Sequence, residues 1–302
     1  MRVDFGACVV KLANGETTEV GVRGRLMGRK KALGNTVVVG DIVTLGEEAG
    51  TWVVEEVAPR RNAFSRRAAG NEPLEQVVAA NLDQLVLVAS LVDPEFKAGL
   101  ADRVLCQSEH AGIPARLALN KTDLADPAEA RAIADAYSSA GYPVHLICAH
   151  TGSGVADLRA ACEGHRSLLV GHSGVGKSTL LNAIAPGSGL LEGVVNSTTG
   201  KGRHTTTAAW LIQPSPGLEL IDTPGVRAFG LWGIEYRNLD QSYSEFRAHL
   251  GGCRFGDCTH RAEPGCAMRA AVQAGSIASR RFESYLKLRE ELELEQSGQR
   301  PR

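Results

Sequence analysis

No apolar run in this 302-residue sequence approaches the roughly 20 residues that a membrane-spanning helix needs, so no membrane partner is expected. The opening segment MRVDFGACVV sets an acid where a secretion signal would carry its apolar core, which points to the cytoplasm. An excess of one charge is missing too. Lys and Arg number 33 against 34 Asp and Glu, a formal net of −1, whereas phosphate-binding proteins usually carry a basic excess. As a bulk figure this argues against a nucleic-acid partner. Seven cysteines, an odd count in a chain without a secretion signal, argue against a disulfide framework and make metal the first reading of any cysteine cluster. There is no internal repeat. What remains, 43% hydrophobic and 22% charged residues, is the composition of a soluble globular protein long enough for two or three domains.

The first seventy residues read as strands. ACVVKLANGETTEVGV carries two β-rich runs around Asn14-Gly15, a pair that tolerates positive φ at both hairpin positions. NTVVVGDIVTL and TWVVEEV continue a pattern that suits a small closed or partly closed β-barrel. From about Asn71 short apolar strands (DQLVLVASLV, ARLALN, VHLICA, SLLVGHS, LELIDT) alternate with helical stretches such as AEARAIADAYSSAG. That alternation predicts a parallel sheet covered on both faces. After Gly230 a Gly/Cys segment gives way to a helical tail, with Ile277, Phe282, Tyr285, Leu288 and Leu292 at helical spacing. Three domains are expected, over residues 1–68, 71–231 and 232–302.

Gly171-His172-Ser173-Gly174-Val175-Gly176-Lys177-Ser178 satisfies G-x4-G-K-[ST], follows an apolar strand and opens a helix reading STLLNAI. The chemistry needs that order. Glycines let successive N–H groups turn inward around phosphate oxygens, and the helix N-terminus adds positive potential. Lys177 reaches the terminal phosphates, the Ser178 hydroxyl ligates Mg²⁺, and Thr179 follows in the same first turn. The bland alternative is a Gly-rich strand-to-helix turn. Downstream, Asp222-Thr223-Pro224-Gly225 ends another apolar strand. There Asp222 can hold the metal through water and Gly225 can offer its N–H to a γ-phosphate. Alone, that word is also a common turn.

Asn120-Lys121-Thr122-Asp123 ends the strand ARLAL. An Asp123 carboxylate accepts both N1–H and the 2-amino group of guanine, the Lys121 stem can cover the ring, and Asn120 can brace neighbouring loops. The competing reading is a helix start capped by Thr122 or Asp123. ICAHTGSG follows, where the Ala149 N–H can meet a guanine 6-oxo group. These words resemble a GTPase of the translation-factor class, but in a different order: the base-reading word and the C-A-H loop precede the phosphate loop, and D-T-P-G comes last. That is a circular permutation. In a doubly wound sheet all these loops gather at the carboxyl edge, so the cut can move without moving the site.

Between the phosphate loop and D-T-P-G lies VVNSTTGKGRHTTTAAW, rich in Gly, Ser and Thr. One hydroxyl of Thr205, Thr206 or Thr207 is placed to complete the Mg²⁺ shell, with Thr206 the chosen candidate. Many GTPases carry a water-orienting Gln after D-x-x-G; here the position is Val226, which cannot polarise water. His204 is the replacement expected, against the alternative of a solvent-exposed loop histidine. Lys177 and Asp222 complete the predicted catalytic group. Farther on, Cys253, Cys258, His260 and Cys266 bring three thiols and one imidazole within fourteen residues. That is a closed tetrahedral shell for one structural Zn²⁺ per chain, with no position left for water. Cys8, Cys106, Cys148 and Cys162 read as core.

Together the motifs resemble the ribosome-assembly GTPases known as RsgA or YjeQ. The resemblance rests on the permuted order, G-R-H-T-T-T at residues 202–207, D-T-P-G-V-R-x-F-G-L-W at residues 222–232, and the cysteine spacing. It implies an N-terminal OB-type β-barrel, a central circularly permuted P-loop GTPase domain and a C-terminal helical zinc-binding domain. It also implies binding to the small (30S) ribosomal subunit and its rRNA late in maturation, with subunit-stimulated hydrolysis of GTP to GDP coupled to release. In that family the histidine of G-x-H-T-T-T is the proposed catalytic group, which strengthens His204. A monomer is expected. The alternative function is a nucleic-acid-binding module with a regulatory, weakly hydrolysing GTP site.

Split by segment, the near-zero charge changes meaning. Residues 1–70 hold 11 basic and 8 acidic side chains, residues 71–231 hold 11 and 16, and residues 232–302 hold 11 and 10. The outer segments are mildly basic, with clusters at Arg29 to Lys31 and Arg60 to Arg67, so RNA binding becomes a local, salt-sensitive expectation.

Overall fold

Turn residues at Asn14-Gly15 and β-branched runs on either side produce the hairpin expected at the N-terminus. β1 (Arg2–Asp4), β2 (Ala7–Lys11) and β3 (Thr17–Val22) pair antiparallel in order; β3 then pairs parallel with β5 (Thr51–Val57), which pairs antiparallel with β4 (Val43–Glu48). Cys8, Val20, Val22, Val37 and Val54 form their small core. The computed structural model describes residues 2–4, 7–26, 37–48, 50–68, 70, 73–186, 209–226 and 228–298. Arg29 to Lys31, His204 and Thr205 to Thr207 therefore lie outside the described residues.

β6 (Ala63–Arg67) and β7 (Glu75–Ala80) form a separate antiparallel pair, across the point where the sequence pattern changes. Each apolar run beyond it becomes a strand: β8 (Gln84–Ser90), β9 (Ala115–Asn120), β10 (Val144–Leu146), β11 (Arg166–Gly171) and β13 (Leu218–Asp222). They lie parallel in the order β10-β9-β8-β11-β13, as both-face burial requires. β12 (Trp210–Ser215) adds antiparallel to β13 and pairs through Trp210 with Arg2 of β1, so one eleven-stranded sheet runs through both units. Nothing in the sequence announced that join.

Helices α1 (Ala98–His110), α2 (Pro127–Ser138), α3 (Val155–Cys162) and α4 (Lys177–Ile184) cover the parallel sheet. The C-terminal segment adds two 3-10 turns (Tyr236–Ser242 and Ser244–His249), α5 (Ala267–Gln273) and α6 (Ser279–Gln296). Ile277, Phe282, Tyr285, Leu288 and Leu292, picked out by spacing, all enter one core, which also takes in Cys106 of α1. All four cysteines outside the C-terminal cluster are buried, and burial pushes the Cys8 thiol up to about 11.

The arginines of residues 60–67, read as a local positive cluster, also make bonds within the protein: Arg60 with Asp41 (2.7 Å), Arg61 with Asp83 (2.5 Å), Arg66 with Gln76 (2.9 Å) and Arg67 with Glu295 of α6. Proximity in sequence revealed their charge but not their partners, at residues 41, 76, 83 and 295.

Candidate functional site

The loop from β11 to α4 turns through Gly174 at φ +87° and Gly176 at φ +90°, conformations that glycine adopts without penalty. A side chain at Gly176 would also meet Asn120 Nδ2 at 2.4 Å. Ser173, Gly174, Ser178 and Thr179 are exposed at the helix N-terminus, His172 is half-buried, and Gly171 and Val175 are buried. The helix thus presents its unpaired N–H groups and partial positive charge to solvent at the carboxyl edge of the sheet. Lys177 is only 8% exposed. Its Nζ donates to Asp222 Oδ1 (2.7 Å) and to the Thr223 carbonyl, joining the two phosphate-side motifs at the edge of neighbouring strands. An ammonium carries three N–H donors, so these two bonds leave one for a further acceptor.

The D-T-P-G turn is itself held down. The buried Thr223 hydroxyl donates to the Leu169 carbonyl (2.8 Å), and the Val226 N–H donates to the Gly171 carbonyl (3.0 Å). Between them Gly225 lies so close to the phosphate loop that a Cβ would stand 2.9 Å from Ser173 Cα. Glycine is needed there for close approach rather than for an unusual φ.

On the base side, Asn120 joins two loops: its Nδ2 donates to the Val175 carbonyl (2.8 Å), and its Oδ1 accepts the Ala149 N–H (2.9 Å). The Ala149 N–H, expected at a guanine 6-oxo group, is thus engaged by Asn120 in this arrangement. The Thr122 hydroxyl donates to the Ile147 carbonyl (3.0 Å), fixing the turn that leaves Asp123 exposed. Neither Thr122 nor Asp123 caps a helix. Asp126 does, accepting the Ala128 N–H (2.9 Å) with Pro127 in the first helical position, so the competing cap reading fails. Lys121 adopts φ +64° and its ammonium rests on the Asp93 carbonyl. The loop after β8 that supplies this carbonyl, and whose Pro94 lies against Gly174, carries no motif and escaped the sequence reading.

The second site is the thiol-imidazole cluster. The ligand atoms of Cys253, Cys258, His260 and Cys266 all lie within 4.8 Å of one another. His260 Nδ1 stands 3.6 Å from Cys253 Sγ and 3.4 Å from Cys266 Sγ, while its Nε2 faces Asp240 Oδ2 at 3.6 Å. A carboxylate behind a ligating imidazole orients the ring and raises its basicity. The Ala267 N–H points at Cys253 Sγ (3.3 Å), as suits a thiolate. Between His260 and Cys266 the loop is shaped by Glu263. Its carboxylate takes the Thr259 hydroxyl and the Thr259 and Ala262 N–H groups, which hold it down at about 2 although burial opposes the shift. Three soft thiols and one imidazole in this geometry are compatible with a tetrahedral zinc ion.

Comparison with known proteins follows the same lines. A family model described as RsgA GTPase matches residues 57–232. A small ribosomal subunit biogenesis GTPase RsgA from Gemmatimonas aurantiaca is 42% identical over 291 residues, covering 95% of this chain and 94% of that one. The protein of the same name from Pseudomonas aeruginosa is 40% identical over 93% of this chain and 81% of its own. Among solved structures, YjeQ from Thermotoga maritima is similar at 33% identity and TM-score 0.74, with 96% of each chain covered. YloQ, described as a circularly permuted GTPase, is similar at 26% identity and TM-score 0.68, covering 98% of this chain and 93% of that one.

Proposed function

Because this chain belongs to the RsgA GTPase family, we propose that it binds the small ribosomal subunit and its rRNA, assists late maturation, and hydrolyses GTP to GDP and phosphate with turnover stimulated by that subunit and coupled to release. The observation that carries this reading is the convergence of three sequence-distant motifs on one sheet edge, with Lys177 bonded to Asp222 and Asn120 bridging the phosphate loop to the Ala149 loop. Asn120 to Asp123 and Ala149 bind the guanine, residues 171–179 and Gly225 the phosphates. Ser178 and Asp222 stand where a hydroxyl and a carboxylate would hold Mg²⁺, with Thr206 as a further ligand. When bound, that ion supplies charge compensation to the phosphates. Lys177, whose ammonium keeps a third N–H donor beside its bonds to Asp222 and Thr223, would reach the terminal phosphates. Val226 is buried and apolar, so the water-orienting task falls to His204. The residue 1–68 unit contacts RNA, residues 71–231 form the nucleotide domain, and residues 232–302 hold one structural Zn²⁺. No helix among the described residues is long and apolar enough to cross a membrane; we take the protein as a cytoplasmic monomer.

Turnover of GTP with and without purified small subunits tests the reading. Stimulation is expected; hydrolysis in neither condition would favour a nucleic-acid-binding module instead. His204→Ala should lower turnover by about 100-fold or more, typical of losing a positioned proton-transfer or water-orienting group, with GDP affinity nearly intact. Equal turnover would remove His204 from the reaction. For the cluster, elemental analysis should find one zinc per chain. Cys266→Ser should release it and speed hydrogen exchange across residues 253–266, because a structural zinc contributes folding energy directly. Slow exchange in a metal-free variant would mean that packing alone holds this loop.

A further inference from the structure

Past Gly225 the chain does not run free. Val226 pairs with His172 of the phosphate loop, Phe229 packs against Phe64 with ring centroids 5.6 Å apart, and the Gly230 carbonyl accepts the Arg67 N–H (2.9 Å). At the far end the Gln107 carboxamide grips the backbone of Trp232 in both directions. Gln107 Nε2 donates to the Trp232 carbonyl (3.1 Å), and the Trp232 N–H donates to Gln107 Oε1 (2.8 Å). Gln107 is 2% exposed, so neither half of this clamp has water to replace it.

Gln107 stands on α1, the helix on which the C-terminal segment is mounted. Asp102, Arg103 and Glu109 of that helix pair with Arg281, Glu291 and Arg247, and Cys106 enters the C-terminal core. A carboxamide offers a donor and an acceptor side by side, the pattern needed to match one residue's C=O and N–H.

We infer that Gln107 is a positioning residue: it fixes the exit of the loop that senses the γ-phosphate to α1, so that displacement of Gly225 is transmitted to the C-terminal helices. This rests on the GTPase reading above. The phosphate loop and α1 become two ends of one lever, with the Gly230–Arg67 contact between them. A Cβ at Gly230 would stand 2.9 Å from Arg67 Cβ, so even a methyl group there displaces the lever from β6.

Hydrogen exchange of the full chain, bound to GDP or to a non-hydrolysable GTP analogue, tests the inference. In the unsubstituted protein, exchange in Ser279–Gln296 should differ between the two nucleotides, while the Trp232 amide stays protected in both. Gln107→Leu should abolish the nucleotide-dependent difference in that helix, leaving GDP affinity and intrinsic turnover within about twofold. Gly230→Ala should weaken the same difference and serves if the first variant does not fold. The inference is overturned if the unsubstituted protein shows no difference, or if the variants retain it in full. Stimulation of turnover by small subunits is measured separately, so loss of that activity in the unsubstituted protein would sink the functional reading on its own terms.

Discussion

Arg281→Leu should destabilise the docking of the C-terminal helices by about 3–5 kcal/mol, the usual effect of removing one partner from a buried ion pair. Arg281 is 1% exposed in the first turn of helix α6 and binds carboxylates from two other elements. It donates to Asp102 of α1, and to Glu245 through Nε (2.7 Å) and NH2 (3.1 Å). Its guanidinium also lies over the rings of Tyr243 (4.6 Å), Tyr137 (5.1 Å) and Tyr142 (5.6 Å), which favours the cation over an isosteric neutral group. Burial raises the Asp102 carboxyl above its ordinary range, and Arg281 opposes that shift. Without the guanidinium, two carboxylates remain in a dry pocket with nothing to neutralise them. Denaturant unfolding followed by hydrogen exchange in α6 measures the loss. An unchanged midpoint would mean that Phe246, Phe282 and Tyr285 hold the helix by apolar contact alone. Asp102→Asn should cost less, because the Tyr137 hydroxyl (2.9 Å from Asp102 Oδ1) can still donate to the amide oxygen.

Asp123→Asn should lower GTP affinity by about 100-fold or more, because on the proposed reading the carboxylate accepts two guanine N–H groups and an amide cannot reproduce both bonds. The amide N–H₂ can instead donate to a 2-oxo group, so xanthine nucleotides should gain affinity in the variant. Titration of the protein with both nucleotide classes checks this. Equal GTP binding would show that the base lies elsewhere, since Asp123 caps no helix and its fold cost on substitution is small. The comparison is clean for that reason: Asp126 starts α2, and Asp123 is exposed beside it.

Motifs of consecutive residues were legible because their chemistry is local. Gly174 and Gly176 must adopt positive φ wherever the loop sits in the chain, and the strand before it must be apolar on both faces to lie between β8 and β13. Permutation was legible for the same reason, since the order of words is a property of the chain. The four cluster residues fall within one short segment, so their convergence needed only a Gly-broken loop, and the ligand atoms do converge.

Other features depend on residues far apart in the chain and have no local signature. The four arginines of residues 60–67 looked alike as charges, yet partners from residues 41, 76, 83 and 295 turn them into internal braces. Arg281 carries no mark in the sequence; only the approach of α1 makes it a buried centre. Gln107 had no distinguishing mark until Trp232 came within hydrogen-bonding distance. Lys121 and Lys177 were expected as ligand groups, but the carbonyls of Asp93 and Thr223 that hold them belong to other loops. Residue order alone picked out the nucleotide motifs and the cysteine-histidine cluster, because backbone conformation and ligand type act over a few positions. Packing settled how those sites are braced and joined, because a hydrogen bond or ion pair exists only once distant segments have been brought to the same place.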